Sequence, residues 1–308
     1  MLVEVNSNTY NKYFPVSPHP FISESFIELN KGKTVKVVRL VAENQKPVIG
    51  LIAGIKNGVL QSPFSAPFGG FHFRNEIIYI GEIDSFLTSL KEYVVSEGLK
   101  GIEIIPPPDI YHLTFNAKTV NSLIRSGFHS KIPEITNWIN LKRFNGSFKQ
   151  SNSREYFRQA VRNGLSFDLA SEVGEKIEIY NLICKNRAKF GRPIYMTFQD
   201  ILNTGNLWPV DFFKVIASDS TLVASAIFYR SHPEIGYAVF WGDNEIGRPL
   251  RAMDFLAFNL WTYYKNMGYK YLDLGISTEA GFPNEGLLRF KESHESTSSL
   301  RYKFVWQA

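Results

Sequence analysis

The sequence predicts an α+β fold of two tandem domains, each a mixed, mostly antiparallel sheet flanked by helices, and three observations carry that prediction. The first is an internal repeat. Asp84-Ser85-Phe86-Leu87, Leu90, Tyr93 and Gly98-Leu99-Lys100-Gly101-Ile102-Glu103-Ile104 align without a gap on Asp254-Phe255-Leu256, Leu260, Tyr263 and Gly268-Tyr269-Lys270-Tyr271-Leu272-Asp273-Leu274. Each copy reads as helix, glycine stop, strand. The second is the pair of apolar runs ahead of each copy, Val38 to Ala42 with Val48 to Ile52, and Lys214 to Ala217 with Val223 to Ile227, each pair split by a polar turn. The third is length: 308 residues suit two domains of about 150, each large enough to bury a core. Leu123-Ile124-Arg125 also matches Leu287-Leu288-Arg289 downstream. Blocks in one order over so long a period argue for a duplicated domain rather than a solenoid. The expected domains are residues 1–145 and 146–308, joined through the polar, glycine-bearing stretch Arg143 to Gln150.

Along the chain, Phe26 to Ile55 alternates apolar and polar positions, with turns at Gly32 and Asn44 to Pro47, and predicts two or three antiparallel strands. Pro63 to Phe71 holds two prolines and the Gly69-Gly70 pair, which forbid regular structure and mark a loop. A helix is expected over Ile83 to Ser96, a buried strand over Gly101 to Ile105, a break at Pro106-Pro107-Pro108, a helix over Ala117 to Ser126 and a strand over Thr136 to Leu141. In the second half, Ser153 is the expected cap of a helix running to Asn163 with Gly164 as its stop. A helix over Glu172 to Phe190 buries Ile177, Tyr180, Ile183, Cys184 and Phe190. Strands over Phe212 to Ala217, Leu222 to Tyr229 and Ile235 to Trp241 form a meander, and Pro249 opens a helix running to Met267.

Composition sets the broad class. With 44% hydrophobic and 20% charged residues the chain is an ordinary globular protein, and its 25 Phe and 15 Tyr supply rings for cores and clefts. The net charge of +5 is spread rather than gathered into runs, which speaks against a dedicated DNA binder and permits an anionic small molecule. No stretch approaches the ~20 apolar residues of a membrane span, and the amino terminus has no basic region followed by an apolar one. The single cysteine, Cys184, is expected in the core and fits a reducing, cytoplasmic compartment. The six histidines are scattered with no ligand spacing, so no metal is expected.

Candidate chemistry sits in three places. Arg154, Arg158 and Arg162, at i, i+4 and i+8, share one helix face, which reads either as a solvated stripe or as an edge for phosphate or carboxylate. Asn244-Glu245-Ile246-Gly247-Arg248-Pro249-Leu250-Arg251 is a glycine-bearing helix start, where amide groups and arginines favour an anion. Asn284 to Lys291 ends in Arg289-Phe290-Lys291, with His294 one turn on: either an exposed charged helix end, or an ammonium beside an imidazole of suitable pKa for acid–base work.

This order of elements resembles the GNAT acyltransferase fold. The tandem arrangement, closing on Asp273-Leu274-Gly275 and Asn284 to Lys291, with weaker matches in Pro67-Phe68-Gly69-Gly70 and the Arg154 to Gly164 helix, resembles its FemABX-type branch. The resemblance implies an acyl or aminoacyl transferase acting on an amine or hydroxyl of a cell-envelope or sugar-containing acceptor, with acyl-CoA or aminoacyl-tRNA as donor. It implies that a strand pair of the second domain splays to admit the donor and that Lys291 stabilises the negative charge developing on the attacked carbonyl. His294 would be its catalytic companion. Arg289, Phe290, Gly247, Arg248, Arg251, Phe68, Gly69, Gly70 and Arg158 would bind substrate, a glycan precursor or small molecule, with tRNA as a further partner. Ordinary GNAT enzymes cradle the coenzyme A pyrophosphate with several backbone donors at a helix start. Here that segment has a single glycine and a proline that removes one amide. The competing reading is a catalytically silent double-GNAT protein that binds an envelope precursor or a protein partner.

Overall fold

The computed structural model describes residues 1–43, 46–75 and 77–308. Asn44 and Gln45, in the turn expected at Asn44 to Pro47, lie outside the described residues. The chain forms two compact units: Met1–Ile135 with Thr278–Phe282 and Ser299–Ala308, and Thr136–Ser277 with Pro283–Ser298. It passes from one to the other inside a strand. The Arg143 to Gln150 stretch lies within the second unit, where its polar residues and glycine make a turn.

In the first unit the order is β1 (Leu2–Glu4), α1 (Ser7–Tyr13), α2 (Glu24–Asn30), β2 (Lys36–Ala42), β3 (Ile49–Lys56), β4 (Val59–Ser62), β5 (Phe71–Phe73), α3 (Ile80–Ser96), β6 (Gly101–Ile104), α4 (Leu113–Arg125) and β7 (His129–Ser130). The alternation read from Phe26 onward is in part a helix. Ser23 Oγ caps α2 by accepting from the Phe26 amide, and Phe26, Ile27 and Asn30 are its buried positions, a helical rather than a two-residue spacing. The sheet order is β1-β2-β3-β4-β6, then β17 (Phe304–Gln307) and β7, with β5 on β3. β4 and β6 are parallel, with Leu60 opposite Ile102. Helix α3 bridges them as the crossover, burying Ile83, Phe86, Leu87, Leu90 and Val94 on the sheet. Gly98 follows at φ +64°, the left-handed position a helix stop requires.

The second unit repeats the plan. Its elements are β8 (Glu134–Asn140), α5 (Ser151–Arg162), β9 (Ser166–Leu169), α6 (Val173–Lys189), α7 (Phe198–Thr204), β10 (Val210–Ile216), β11 (Leu222–Tyr229), β12 (Ile235–Asp243), α8 (Ala252–Asn266) and β13 (Tyr271–Ile276). The short strands β14 (Thr278–Glu279) and β15 (Phe282–Pro283), α9 (Glu285–Ser293), β16 (Thr297–Arg301) and β17 follow. The second sheet runs β16-β8-β13-β12-β11-β10-β9. β12 and β13 are its parallel pair, Gly236 opposite Leu272, joined through α8 and Gly268 at φ +85°. Ile102 and Leu272 therefore occupy matching strands, as the repeat predicts. Pro249 does not open α8; it lies in a turn that precedes Ala252.

Alternation along β11 sends its side chains to two helical layers. Ala224, Ala226 and Phe228 join the core under α8, with Phe255, Leu256, Leu260 and Trp261, while Ser225 Oγ donates to Ile179 O of α6 on the other face. Ile179, Leu182 and Ile183 are the buried positions of α6. Ile177 and Phe190, expected inside, are exposed, because the inward face is offset by one residue from the spacing read in sequence. Ser153, expected as a cap, sits inside α5 and donates to Ser293 O.

A buried histidine gives the first unit a pH signature. His72 is enclosed, its Nδ1 3.0 Å from Tyr10 Oη and its Nε2 3.3 Å from Ser17 Oγ, and burial lowers its pKa to about 3. The unfolded chain takes up a proton near pH 6.5 and the folded one does not until about pH 3, so stability is full above 6.5 and is lost on acidification. Urea titrations from pH 6.5 downward should show a loss of about 1.4 kcal/mol per pH unit from this group. His72→Gln should remove that share of the slope; identical slopes for both proteins would contradict the assignment.

Candidate functional site

β12 and β13 are paired over only three positions, Ile235 to Tyr237 against Tyr271 to Asp273. Two irregularities make them part. On β13, Asp273 lies opposite Trp138 and Ile276 opposite Thr136, so one extra residue bulges out; Gly275 takes φ +68° and its amide is held by Asp273 Oδ1 at 2.8 Å. On β12, Phe240 faces Ile227 and Ala238 faces Phe228, leaving Val239 without a partner in β11. Among the described residues no strand lies beside the β13-facing edge of β12 beyond Tyr237. A cleft of about 620 Å³ opens there, walled by β12 from Tyr237 to Asp243, the end of β13, and Leu287, Phe290 and Lys291 of α9. Asn186, Arg187, Phe190 and Arg192, at and after the end of α6, form its rim with Arg248. Its volume is that of a small-molecule site.

Lys291 closes one wall. Its side chain is about 1% exposed, and Nζ donates to the carbonyls of Leu274 at 2.9 Å, Gly275 at 2.9 Å and Ile276 at 3.0 Å. An ammonium has three donors, so each is committed to the β13 bulge. Burial pushes this ammonium down to about 7; the Asp273 carboxylate opposes the shift and Arg187 adds to it. Phe290, beside it, packs edge-on against Trp241.

His294 does not face the cleft. It is about 1% exposed, with Nε2 3.1 Å from Asp254 Oδ1 and Nδ1 2.7 Å from Phe290 O, and Phe148 packs edge-on to its ring. Both nitrogens are engaged inside the protein, on Asp254 and on the Phe290 carbonyl, and neither is turned to the cleft. The sequence places it correctly one turn from Lys291, but α9 turns the two side chains to different surroundings.

The expected anion site at the start of α8 is divided. Gly247 is buried and its amide donates to Asn244 Oδ1 at 2.9 Å; the Ala252 amide returns to Gly247 O and the Arg251 amide to Arg248 O. The amides of Gly247, Arg251 and Ala252 are thus spent inside the loop, and Pro249 has none. Arg251 stacks its guanidinium 3.7 Å from the Tyr156 ring on the α5 side. Arg248 lies over Phe190 on the α6 side, with Nε 3.5 Å from Asp243 Oδ1. Only Arg248 reaches the cleft. Burial raises the Asp243 carboxyl, and Arg248 opposes that.

Of the remaining expected residues, Arg289 is exposed on α9. Arg158 is exposed 3.8 Å from Glu155, which also pairs with Arg162 at 2.6 Å, while Arg154 donates to Phe148 O at 3.0 Å. Glu155 is thus shared by Arg158 and Arg162, and Arg154 is spent on backbone carbonyls. Phe68, Gly69 and Gly70 are buried in the first unit. Phe68 packs edge-on against His19 and Phe21, and a Cβ on Gly69 would lie 2.6 Å from Pro63 N. Gly69 permits close packing and Gly70 takes φ +104°, both in the buried interior of the unit. Among the described residues no group of His, Cys, Asp or Glu can hold a metal ion.

Sequence reasoning passed over Asn186, Arg187, Arg192, Trp241, Asp243 and the Val239 bulge. The run Lys185-Asn186-Arg187 to Arg192 at a helix end, stopped by Gly191, was the available signal for the rim.

The loop makes one sharp demand. A Cβ on Gly247 would lie 2.4 Å from Val223 O, so Gly247→Ala should displace the turn from β11 and cost about 1–3 kcal/mol in urea unfolding. An unchanged midpoint would show that the turn can move freely.

No family model and no curated protein matches the sequence. Solved structures do. The crystal structure of FemX superposes with TM-score 0.68 at 12% identity, covering 100% of this chain and 97% of FemX. L-PGS from Bacillus licheniformis gives 0.60 at 13%, covering 98% and 92%. A tandem GNAT protein from the clavulanic acid biosynthesis pathway gives 0.58 at 9%, covering 100% and 98%. The chain therefore has the tandem GNAT fold, in the form that FemX shows.

Proposed function

We propose that this chain is an acyl or aminoacyl transferase whose reaction takes place in the second unit's cleft. The observation that carries the proposal is the parting of β12 and β13, which leaves the β13-facing edge of β12, irregular at Val239, without a strand partner along a cleft of ligand size. Backbone amides fixed beside a bound acyl group are suited to the charge that gathers on its oxygen during attack. The nucleophile's bond to the acyl carbon forms as the donor's C–O or C–S bond breaks, and the nucleophile's proton leaves with the departing group. No imidazole need take part.

Arg187, Arg192, Arg248 and Lys291 outnumber Asp243 around the cleft, which favours anionic substrates. A phosphorylated, sugar-containing envelope precursor, offering an amine or hydroxyl, fits that charge. The Asn244 to Arg251 loop spends the Gly247 and Arg251 amides internally and has none at Pro249, so it lacks a run of consecutive free amides for a pyrophosphate, which favours an aminoacyl ester such as aminoacyl-tRNA over coenzyme A. Among the described residues no helix is long and apolar enough to cross a membrane, and we place the reaction in the cytoplasm, where such donors are made. The commitment of every Lys291 donor favours a second reading, a silent binding module.

The test is incubation of purified protein with acyl-CoA, aminoacyl-tRNA and nucleotide-linked sugar precursors, with products followed by mass spectrometry. Transfer to a precursor supports the enzyme; retention of a precursor with no transfer from any donor selects the binding module. For the retained precursor, Arg248→Ala should weaken affinity about 10- to 100-fold, the scale of a charged hydrogen bond. Arg251→Ala, which removes stacking on Tyr156 and a long hydrogen bond to Gln159, both away from the cleft, should leave it within about twofold. Equal losses would contradict the division of the two arginines.

A further inference from the structure

We infer that Lys291 is a positioning residue, a tethered ammonium that fills the β13 bulge and holds that strand end away from β12, rather than the group that stabilises a reacting carbonyl. The inference concerns the wall of the cleft and does not depend on the acyl-transfer reading.

Three observations carry it. The first is stoichiometric: the carbonyls of Leu274, Gly275 and Ile276, consecutive in the chain, converge on Nζ at 2.9, 2.9 and 3.0 Å, which matches the three donors of an ammonium one to one. The second is the backbone that makes them converge. Gly275 at φ +68° and the extra residue between Asp273 and Ile276 turn the carbonyls inward, and Asp273 Oδ1 fixes the turn through the Gly275 amide. A strand in regular geometry points successive carbonyls in opposite directions and cannot form such a cage. The third is position. The cage begins one residue beyond Asp273, the last residue of β13 paired with β12. Without a cation there, buried carbonyls would lack donors, and the strand end would be driven to find them elsewhere. The β12 amides across the cleft are the available donors. Loss of the ammonium therefore favours closure of the cleft.

A cage built for a tethered ammonium should accept a free one when the tether is cut. Lys291→Ala leaves space for the ion; Lys291→Met keeps the bulk and removes the donors. Thermal unfolding of wild type and both variants would be followed in ammonium chloride, methylammonium chloride and choline chloride at equal ionic strength. Both variants should melt about 5–10 °C below wild type in choline. Ammonium or methylammonium should restore at least half of that loss in Lys291→Ala, and should do nothing for Lys291→Met or wild type. The wild-type protein carries an independent signature: with ¹⁵N-labelled lysine at about pH 5.5, below the value of about 7 to which burial lowers Lys291, one ammonium signal should persist, protected from solvent exchange, and vanish in Lys291→Met. That measurement decides the matter if the alanine variant does not fold. Wild-type melting of Lys291→Ala in choline, restoration that fails to distinguish ammonium from choline, or a rapidly exchanging Lys291 signal would each overturn the inference.

Discussion

The parting of β12 from β13 is the constraint around which the second unit is arranged. A sheet that opens in its middle leaves two rows of backbone groups without partners, and a buried amide or carbonyl left unpaired costs about 1–3 kcal/mol. The two rows are treated differently here. The exposed carbonyls of β13 are gathered by Gly275 and saturated by Lys291, whereas the edge of β12 keeps its groups turned to the cleft. The carbonyls on the β13 side are thus closed off, while the β12 edge keeps both its amides and its carbonyls for a ligand. The amides among them suit a carbonyl oxygen, and better still one that is becoming negative.

The first unit shows how the same topology is used without an opening. Its parallel pair β4 and β6 stays in register through Ser62 and Ile104, and the chain itself supplies the next partners. The Ile105 amide donates to Ser62 O, the Gly69 amide to Ile105 O, and the Gly70 amide to Ser62 Oγ. The Phe68 to Gly70 segment occupies the place where the second unit has its cleft. The void nearby, between His19, Phe73 and Pro107, is about 10 Å³, enough for one water at most. The two units share one scaffold, and its own loop fills the crevice in the first while the second keeps its cleft open.

How much of this is legible in sequence follows from which signals are local. The repeat is legible because a helix stop needs glycine at positive φ and a buried crossover helix needs apolar residues at fixed spacing, so Gly98 and Gly268 align along with Leu90 and Leu260. The short helix α2 was read as strand because seven residues give too few turns for either period to declare itself. The cleft is less legible. Lys291 stands out as a lysine in a recognisable segment, but its partners are main-chain carbonyls, which carry no side-chain signature. The bulge at Val239 is a matter of register between β11 and β12 and leaves no mark in composition. Arg248 and Arg251 look equivalent on paper; the left-handed backbone of Arg251, at φ +62°, sends them to different layers.

The residues that the sequence singles out near the carboxyl end belong together in a way that differs from a catalytic pair. His294 ties α9 to α8 through Asp254, and its own carbonyl accepts from Trp261 Nε1 at 3.2 Å. Ser153 of α5 donates to the neighbouring Ser293 O at 2.7 Å. The end of α9 is therefore held from two helices, one of which, α8, begins at the turn beside the cleft rim. Lys291, one turn back, inherits that fixed position and transmits it to β13. In this arrangement the imidazole never needs to meet a substrate to matter to the site: it sets where the ammonium stands, the ammonium sets where β13 ends, and the strand end sets how wide the cleft is beside the amides of β12.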